Sequence, residues 1–398
     1  YDVSNCVLGA VAYNNGRYDE AIEHFNRYAN LKNDSTAYFY YGDSFIRRFD
    51  PDYKQAAKIL DYCVEIHKNP NAAARLCDLY DKDAPFENIA DYYYYAKTEA
   101  DLGSKPACEF IAVSIKTGEY VPSGASNAMM LHYLKEAEPE LSYNGCCLAG
   151  DIYFEEYVNG GLSDERLYAA AKQYIERSLK LNSEFTLANH LMGEILLCKE
   201  RRPEAAYYYE KAFNAGYEDS CESLFTTLVG MPGKQEKANR YARIIIKNNY
   251  KVTNPFVYSS VAFNIVQGLC GEKPDYAEAG KLFVRAAEMG DVISMDMVGL
   301  TRVEYGTSAV PTHVAIGWLE KADSLGSKDA LYYLGVIYIQ ENQSAKAVDC
   351  LNKATDKGNA DAARKMAELY ECGYITGKRE KKKAKSWKEI ADRLDAAR

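Results

Sequence analysis

Asp275-Tyr276-Ala277-Glu278-Ala279-Gly280-Lys281-Leu282-Phe283-Val284-Arg285-Ala286-Ala287-Glu288-Met289-Gly290 is the stretch that decides the fold. Its apolar or small positions 279, 282, 283, 286 and 287 follow i, i+3, i+4, i+7 and i+8, one face of an α-helix. Gly290 stands where a helix ends by turning left-handed. Related segments run from Pro203 to Gly216, Pro311 to Gly326 and Ser344 to Gly358. Pro203 and Pro311 suit a first helical turn, where a missing N–H costs nothing.

A second pattern alternates with the first: a large apolar residue, a small one, two more, then an aromatic or aliphatic. It reads Tyr41-Gly42-Asp43-Ser44-Phe45, Leu76-Cys77-Asp78-Leu79-Tyr80, Ala149-Gly150-Asp151-Ile152-Tyr153, Met192-Gly193-Glu194-Ile195-Leu196, Leu334-Gly335-Val336-Ile337-Tyr338 and Met366-Ala367-Glu368-Leu369-Tyr370. Leu8-Gly9 opens the series, and weaker copies centre near Leu224 and Ala262. The small residues at 9, 42, 77, 112, 150, 193, 299, 335 and 367 return every 36 residues or so, once the two weak copies fill the long gap. Each repeat is therefore helix A, a turn, helix B and a Gly or Pro turn. The small residue lets B approach A closely. The expected fold is all-α: a right-handed α-solenoid of about eleven antiparallel helix pairs.

The residues from Ala330 to Tyr338 resemble the A helix of the Sel1-like repeat, a relative of the tetratricopeptide repeat. His313 to Gly326, with Trp318-Leu319-Glu320-Lys321-Ala322, resembles its B helix. Gly16-Arg17-Tyr18-Asp19-Glu20-Ala21 looks more like a plain tetratricopeptide turn. The resemblance is good over 275–377, moderate over 3–216 and weak over 217–270. It implies an adaptor without catalytic residues, presenting an extended concave surface to a partner. The expected organisation is N-terminal repeats over 1–216, degenerate repeats or a joint over 217–274, C-terminal repeats over 275–377, and a basic capping helix over 378–398.

Composition narrows the function. The chain has 398 residues, 47% hydrophobic and 26% charged, which excludes disorder and low-complexity fibres. A net charge of −9 disfavours a general nucleic-acid binder. No stretch reaches the roughly 20 apolar residues of a membrane span. Residues 378–398 carry nine Lys/Arg against four acids. They read as a polar cap for the solenoid end, or else as a docking patch for nucleic acid or acidic lipid.

The eleven cysteines include no C-x-x-C and read as reduced core thiols, which favours a reducing, cytoplasmic setting. The chain opens on Tyr1 rather than Met, which leaves room for a removed secretory signal. Five isolated histidines make no metal motif, and no P-loop, G-x-S-x-G or G-x-G-x-x-G is present. No enzyme, cofactor or metal is expected. The 35 tyrosines read as seam residues between helix pairs, apolar ring inside and hydroxyl wet.

The residue after the small A-helix position is acidic in five copies: Asp43, Asp78, Asp151, Glu194 and Glu368. On A helices lining a concave face it points into the groove. Neighbouring offsets add Phe39, Arg47, His190, Tyr332, Ile339, Arg364 and Glu371 as partner-binding candidates. The expectation is an acidic groove that captures a peptide or helix of another protein. Against it stands a bland alternative, a polar position that merely satisfies its neighbours. Two rival functions are a carbohydrate-binding or enzyme-associated module using Tyr92 to Tyr95 and Tyr207 to Tyr209, and a scaffold that self-associates through its ends.

Overall fold

The structure is a computed structural model that describes residues 2–28, 30–268 and 274–396. The end of the 217–274 segment, Cys270 with it, and the last two residues of the capping helix lie outside the described residues. Twenty-two α-helices, α1 to α22, follow one another, with one 3-10 turn at Leu31–Asn33, and no strand occurs among the described residues. That is the number expected of eleven pairs. Odd-numbered helices are A helices and even-numbered ones are B helices.

The helices group into two compact units, 1–200 and 201–398. The first holds α1 (Asp2–Asn14), α2 (Tyr18–Asn26), α3 (Ser35–Arg47), α4 (Tyr53–His67), α5 (Pro70–Tyr80), α6 (Ile89–Asp101), α7 (Lys105–Thr117), α8 (Asn127–Glu136), α9 (Tyr143–Asn159), α10 (Glu165–Leu181) and α11 (Thr186–Leu197). The second holds α12 (Arg202–Asn214), α13 (Ser220–Val229), α14 (Gln235–Asn248), α15 (Phe256–Val266), α16 (Tyr276–Glu288), α17 (Val292–Tyr305), α18 (Thr312–Ser324), α19 (Ala330–Gln340), α20 (Ser344–Asp356), α21 (Ala360–Cys372) and α22 (Lys381–Ala396). The boundary falls after Glu200, ahead of the 217–274 stretch where the sequence pattern fades. That stretch still forms helices α13, α14 and α15.

Local chemistry sets the helix ends. Asp34, Asp52, Asn69, Ser142, Asp275 and Asn359 accept backbone N–H bonds at the starts of α3, α4, α5, α9, α16 and α21. Gly216, Gly290, Gly326 and Gly358 follow B helices at φ between 87° and 99°, a conformation that a side chain would strain.

The A-helix glycines sit against the B helix of their own pair. A Cβ on Gly9 would lie 2.8 Å from the Phe25 ring, on Gly42 2.9 Å from Ile59, on Gly150 2.7 Å from Ile175, on Gly299 2.5 Å from Leu319 and on Gly335 2.7 Å from Leu351. Phe25, Ile175, Leu319 and Leu351 are fully buried, and Ile59 nearly so. In these five pairs the missing methyl lets a large B-helix side chain fill the gap.

Successive A helices also touch: α1 with α3, α3 with α5, α7 with α9 and α9 with α11 in the first unit, α17 with α19 in the second. At the C-terminal end α22 packs along α21 and buries Ala384 and Ala391, as a B helix does.

Candidate functional site

In the first unit, α3 and α5 carry the first two acids of the repeated position, and they end up in opposite environments. Asp43 is fully buried. Its Oδ2 accepts from the Tyr13 hydroxyl of α1 and from Arg47 Nε at 2.6 Å. Its Oδ1 faces Arg75 Nε of α5 at 2.8 Å. One carboxylate therefore ties three consecutive A helices. Burial and the Asp43 charge together push the Tyr13 hydroxyl well above its ordinary range. Asp78, one repeat on, is exposed and pairs with the same Arg75 at 2.8 Å.

The remaining candidates are also paired. Asp151 meets Lys116 of α7 at 2.8 Å, and Lys116 reaches Glu155 at 2.8 Å. Burial works against the Lys116 charge, yet the two carboxylates raise its pKa overall. His190 and Glu194 lie 3.9 Å apart on α11. In the second unit Glu368 pairs with Lys365 at 2.9 Å, and Glu371 with Lys388 of α22 at 2.9 Å. Arg364 bonds Asp361 at 2.5 Å and also Asp395. Tyr332 is half-buried against Tyr333, and the Ile339 carbonyl accepts from the Tyr374 hydroxyl at 3.3 Å. Phe39 is half-buried beside Tyr40.

At the repeated acid position of the first unit, Asp43 and Asp151 thus pair with a cation on a neighbouring A helix, and Asp78 with one on its own helix. The purely acidic groove needs correcting at Asp43, whose charge is consumed inside the fold and cannot meet a ligand. The others present acid and base together, a mixed-charge face. Between α7 and α9 this face opens into a recess of about 450 Å³ lined by Phe110, Val113, Lys105 and Glu140. At its edge Glu109 accepts from the backbone N–H of Ser142 and Gly145, at 2.9 and 3.1 Å, and so caps α9 from the preceding repeat. The sequence reading passed over Arg75, Lys116 and Phe110. Arg75 lies three residues before Asp78, a helical spacing that signals pairing; nothing in the sequence places it beside Asp43.

The tyrosines explain themselves in space. On B helices of the first unit, the Tyr95 hydroxyl of α6 donates to Asp61 of α4 at 2.9 Å, and that of Tyr133 on α8 donates to Asp101 of α6 at 2.8 Å. In the second unit Tyr241 of α14 donates to Glu210 of α12 at 2.7 Å. Each hydroxyl ties a B helix to its predecessor, roughly one repeat earlier. Burial first, and then the carboxylate partner, push the Tyr133 hydroxyl up to about 12. The Tyr92 to Tyr95 run is split: Tyr93 and Tyr95 are buried, and only Tyr94 is largely exposed. The Tyr207 to Tyr209 run is split likewise, with Tyr207 exposed and Tyr209 buried.

No group of three or more His, Cys, Asp or Glu able to hold a metal occurs among the described residues. The ten described cysteines are free thiols, six of them buried. Burial pushes the thiols of Cys63, Cys77, Cys147 and Cys221 up to about 12, which keeps them protonated and unreactive. No helix is long and apolar enough to cross a membrane among the described residues.

Comparison with known proteins agrees with this architecture. The tetratricopeptide repeat family matches residues 329–357, from the residue before α19 to the residue after α20. The comparison with curated sequences returns no match. Among solved structures, the chain is similar to a protective antigen of uropathogenic Escherichia coli strains that displays an SLR fold. That likeness covers 100% of this chain and 88% of the antigen, at 18% identity and a TM-score of 0.54. A Sel1 repeat protein from Oxalobacter formigenes matches over 78% of this chain and 89% of its own, at 19% identity and a TM-score of 0.45.

Proposed function

We propose that this chain, whose fold is similar to that of Sel1-like and tetratricopeptide repeat proteins, is a non-catalytic adaptor holding a segment of another protein along its A-helix face. Folds of this kind commonly serve as protein-interaction scaffolds and are typically non-catalytic. The observation that carries the reading is the mixed-charge row of the first unit, Arg75–Asp78 and Lys116–Asp151–Glu155, beside the Phe110 recess. Fixed charges of both signs next to a hollow floored by Phe110 and Val113 suit a peptide or helix that carries both charge and an apolar side chain. Free, buried thiols support a reducing compartment, the cytoplasm first among them.

A photo-crosslinker placed at Asp78 or Phe110, on A helices, is expected to trap one segment of a partner. The same group at exposed Lys58, on B helix α4, is expected not to. Asp78→Lys with Asp151→Lys is expected to weaken capture about tenfold. Asp43→Lys is not a binding probe, because it buries a third cation beside Arg47 and Arg75. Undiminished capture by the folded double variant, or equal trapping from Lys58, refutes an A-face adaptor.

A further inference from the structure

The second unit carries a different feature, between α14 and α15. Arg240, Arg243 and Lys247 follow one another at i, i+3 and i+7 on α14, and all three are exposed. None forms an ion pair among the described residues. Lys237, one turn before Arg240 on the same helix, is neutralised by Glu210 at 2.7 Å. The three cations line a hollow of about 350 Å³ together with Asn239 and Asn264, and Glu236 is its one acidic lining residue. Asn239 and Asn264 also border an adjoining recess of about 540 Å³, whose apolar wall is Val229, Phe256 and Phe263. Asn264 donates to the Ser260 carbonyl at 2.7 Å, which leaves its amide oxygen as an acceptor.

We propose that this groove binds an acidic segment of a partner protein. Carboxylates would meet Arg240, Arg243 and Lys247, and an aromatic or aliphatic side chain would enter the Phe256–Phe263 recess. The two asparagine carboxamides can bond an extended main chain between them. Charge complementarity selects the occupant. Outside the basic 378–398 stretch the second unit holds 20 Lys/Arg and 22 Asp/Glu, so the positive charge here is local: three cations against the single carboxylate of Glu236. Arg240 and Lys247 lie about 10 Å apart along the helix, a span that three residues of an extended peptide cover. Three cations over that length fall well short of the roughly 6–10 phosphate contacts of a strong nucleic-acid site, and the apolar wall gives phosphates nothing to meet.

This inference rests on the adaptor reading and adds a second contact, of basic character. The test uses the full chain and a fluorescent acidic peptide containing one Phe, with fluorescence anisotropy as readout. Three further probes are the same peptide with Phe replaced by Ser, its Lys-for-Glu counterpart, and single-stranded DNA. Binding of the acidic Phe peptide is expected to fall about tenfold in Arg240→Glu/Arg243→Glu and to weaken as salt rises from about 50 to about 200 mM. Replacing Phe by Ser is expected to weaken it further. Arg240→Gln/Arg243→Gln removes charge without reversing it, and serves if the Glu variant does not fold. Unchanged affinity in either folded variant, or DNA or the basic peptide binding as tightly, overturns the proposal. The crosslinks from Asp78 and Phe110 report the A-face adaptor separately, so either reading can fail while the other stands.

Discussion

Asp43 in the first unit and Arg302 in the second are mirror images. Asp43 is a buried acid held by Tyr13, Arg47 and Arg75. Arg302 is a buried base whose Nε donates to Thr312 at 3.0 Å, and whose terminal nitrogens donate to Gln340 at 2.7 Å and Glu341 at 2.8 Å. Each joins successive A helices with one charge. The difference lies in what surrounds the charge. The Nε of Arg75 lies in the interior beside Asp43, whereas Gln340 and Glu341 stand at the surface. Removing the acid therefore strands buried donors, while removing the base releases its acceptors to water.

That contrast orders the outcomes. Asp43→Ala is expected to cost about 3 kcal/mol, since it leaves the buried Nε of Arg75 and the hydroxyl of Tyr13 without the carboxylate they face. Arg302→Met is expected to cost about 2 kcal/mol. Because repeats are stabilised by their neighbours, the loss should be local. Hydrogen exchange should show protection falling in α1, α3 and α5 for Asp43→Ala, and in α17 to α19 for Arg302→Met. Equal costs for the two variants would break the comparison.

The glycines offer a smaller and sharper contrast within the second unit. A methyl at Gly299 would strike Leu319, whereas Gly317 of α18 has nothing within 4 Å. Gly299→Ala is expected to destabilise by about 1 to 2 kcal/mol, as overpacking outweighs helix propensity. Gly317→Ala is expected to stabilise by up to about 1 kcal/mol. Thermal melts of the two variants should move in opposite directions.

Asp296 gives the smallest effect and is a check on the burial of charge in the second unit. Burial pushes its carboxyl from 3.8 up to about 6; Ser327, which donates to it, pulls back, and Asp329 and Asp291 push further up. Its folded pKa lies above its unfolded one, so folding takes up a proton between these values. Its contribution to stability is greatest below about 4 and falls as pH rises to about 6. Asp296→Asn is therefore expected to gain about 1 kcal/mol at pH 7. The gain should vanish near pH 4, read as melting temperature against pH. A gain that is the same at both pH values would remove charge burial as its cause.

The repeat was legible because its signals are local. The apolar period of 279 to 287, the terminating Gly290 and the small residue at 42, 150, 299 and 335 each act within one helix pair, and α16, α17 and α19 follow them closely. Even the faded 217–268 stretch kept enough helical pattern to form α13, α14 and α15. The basic stripe at 240, 243 and 247 is equally readable by its helical spacing; that its cations line a hollow against α15 is set by tertiary packing alone. The Tyr92 to Tyr95 run could not be sorted by sequence, because four consecutive helical residues point in four directions and only the neighbours decide which are covered.

What the sequence by itself determined is the helix, its partner and their close approach: contacts between residues less than about one repeat apart, governed by a 3.6-residue period and a missing methyl. What only the tertiary structure decided is the fate of each charge. Asp43 and Asp78 occupy the same motif position, yet one side chain is 0% exposed and the other 64%. The reason is that Asp43 is covered by Tyr13 and Arg75, residues 30 and 32 positions away on the helices to either side. The rotation from one repeat to the next brings them there, and no pattern within a single helix encodes it.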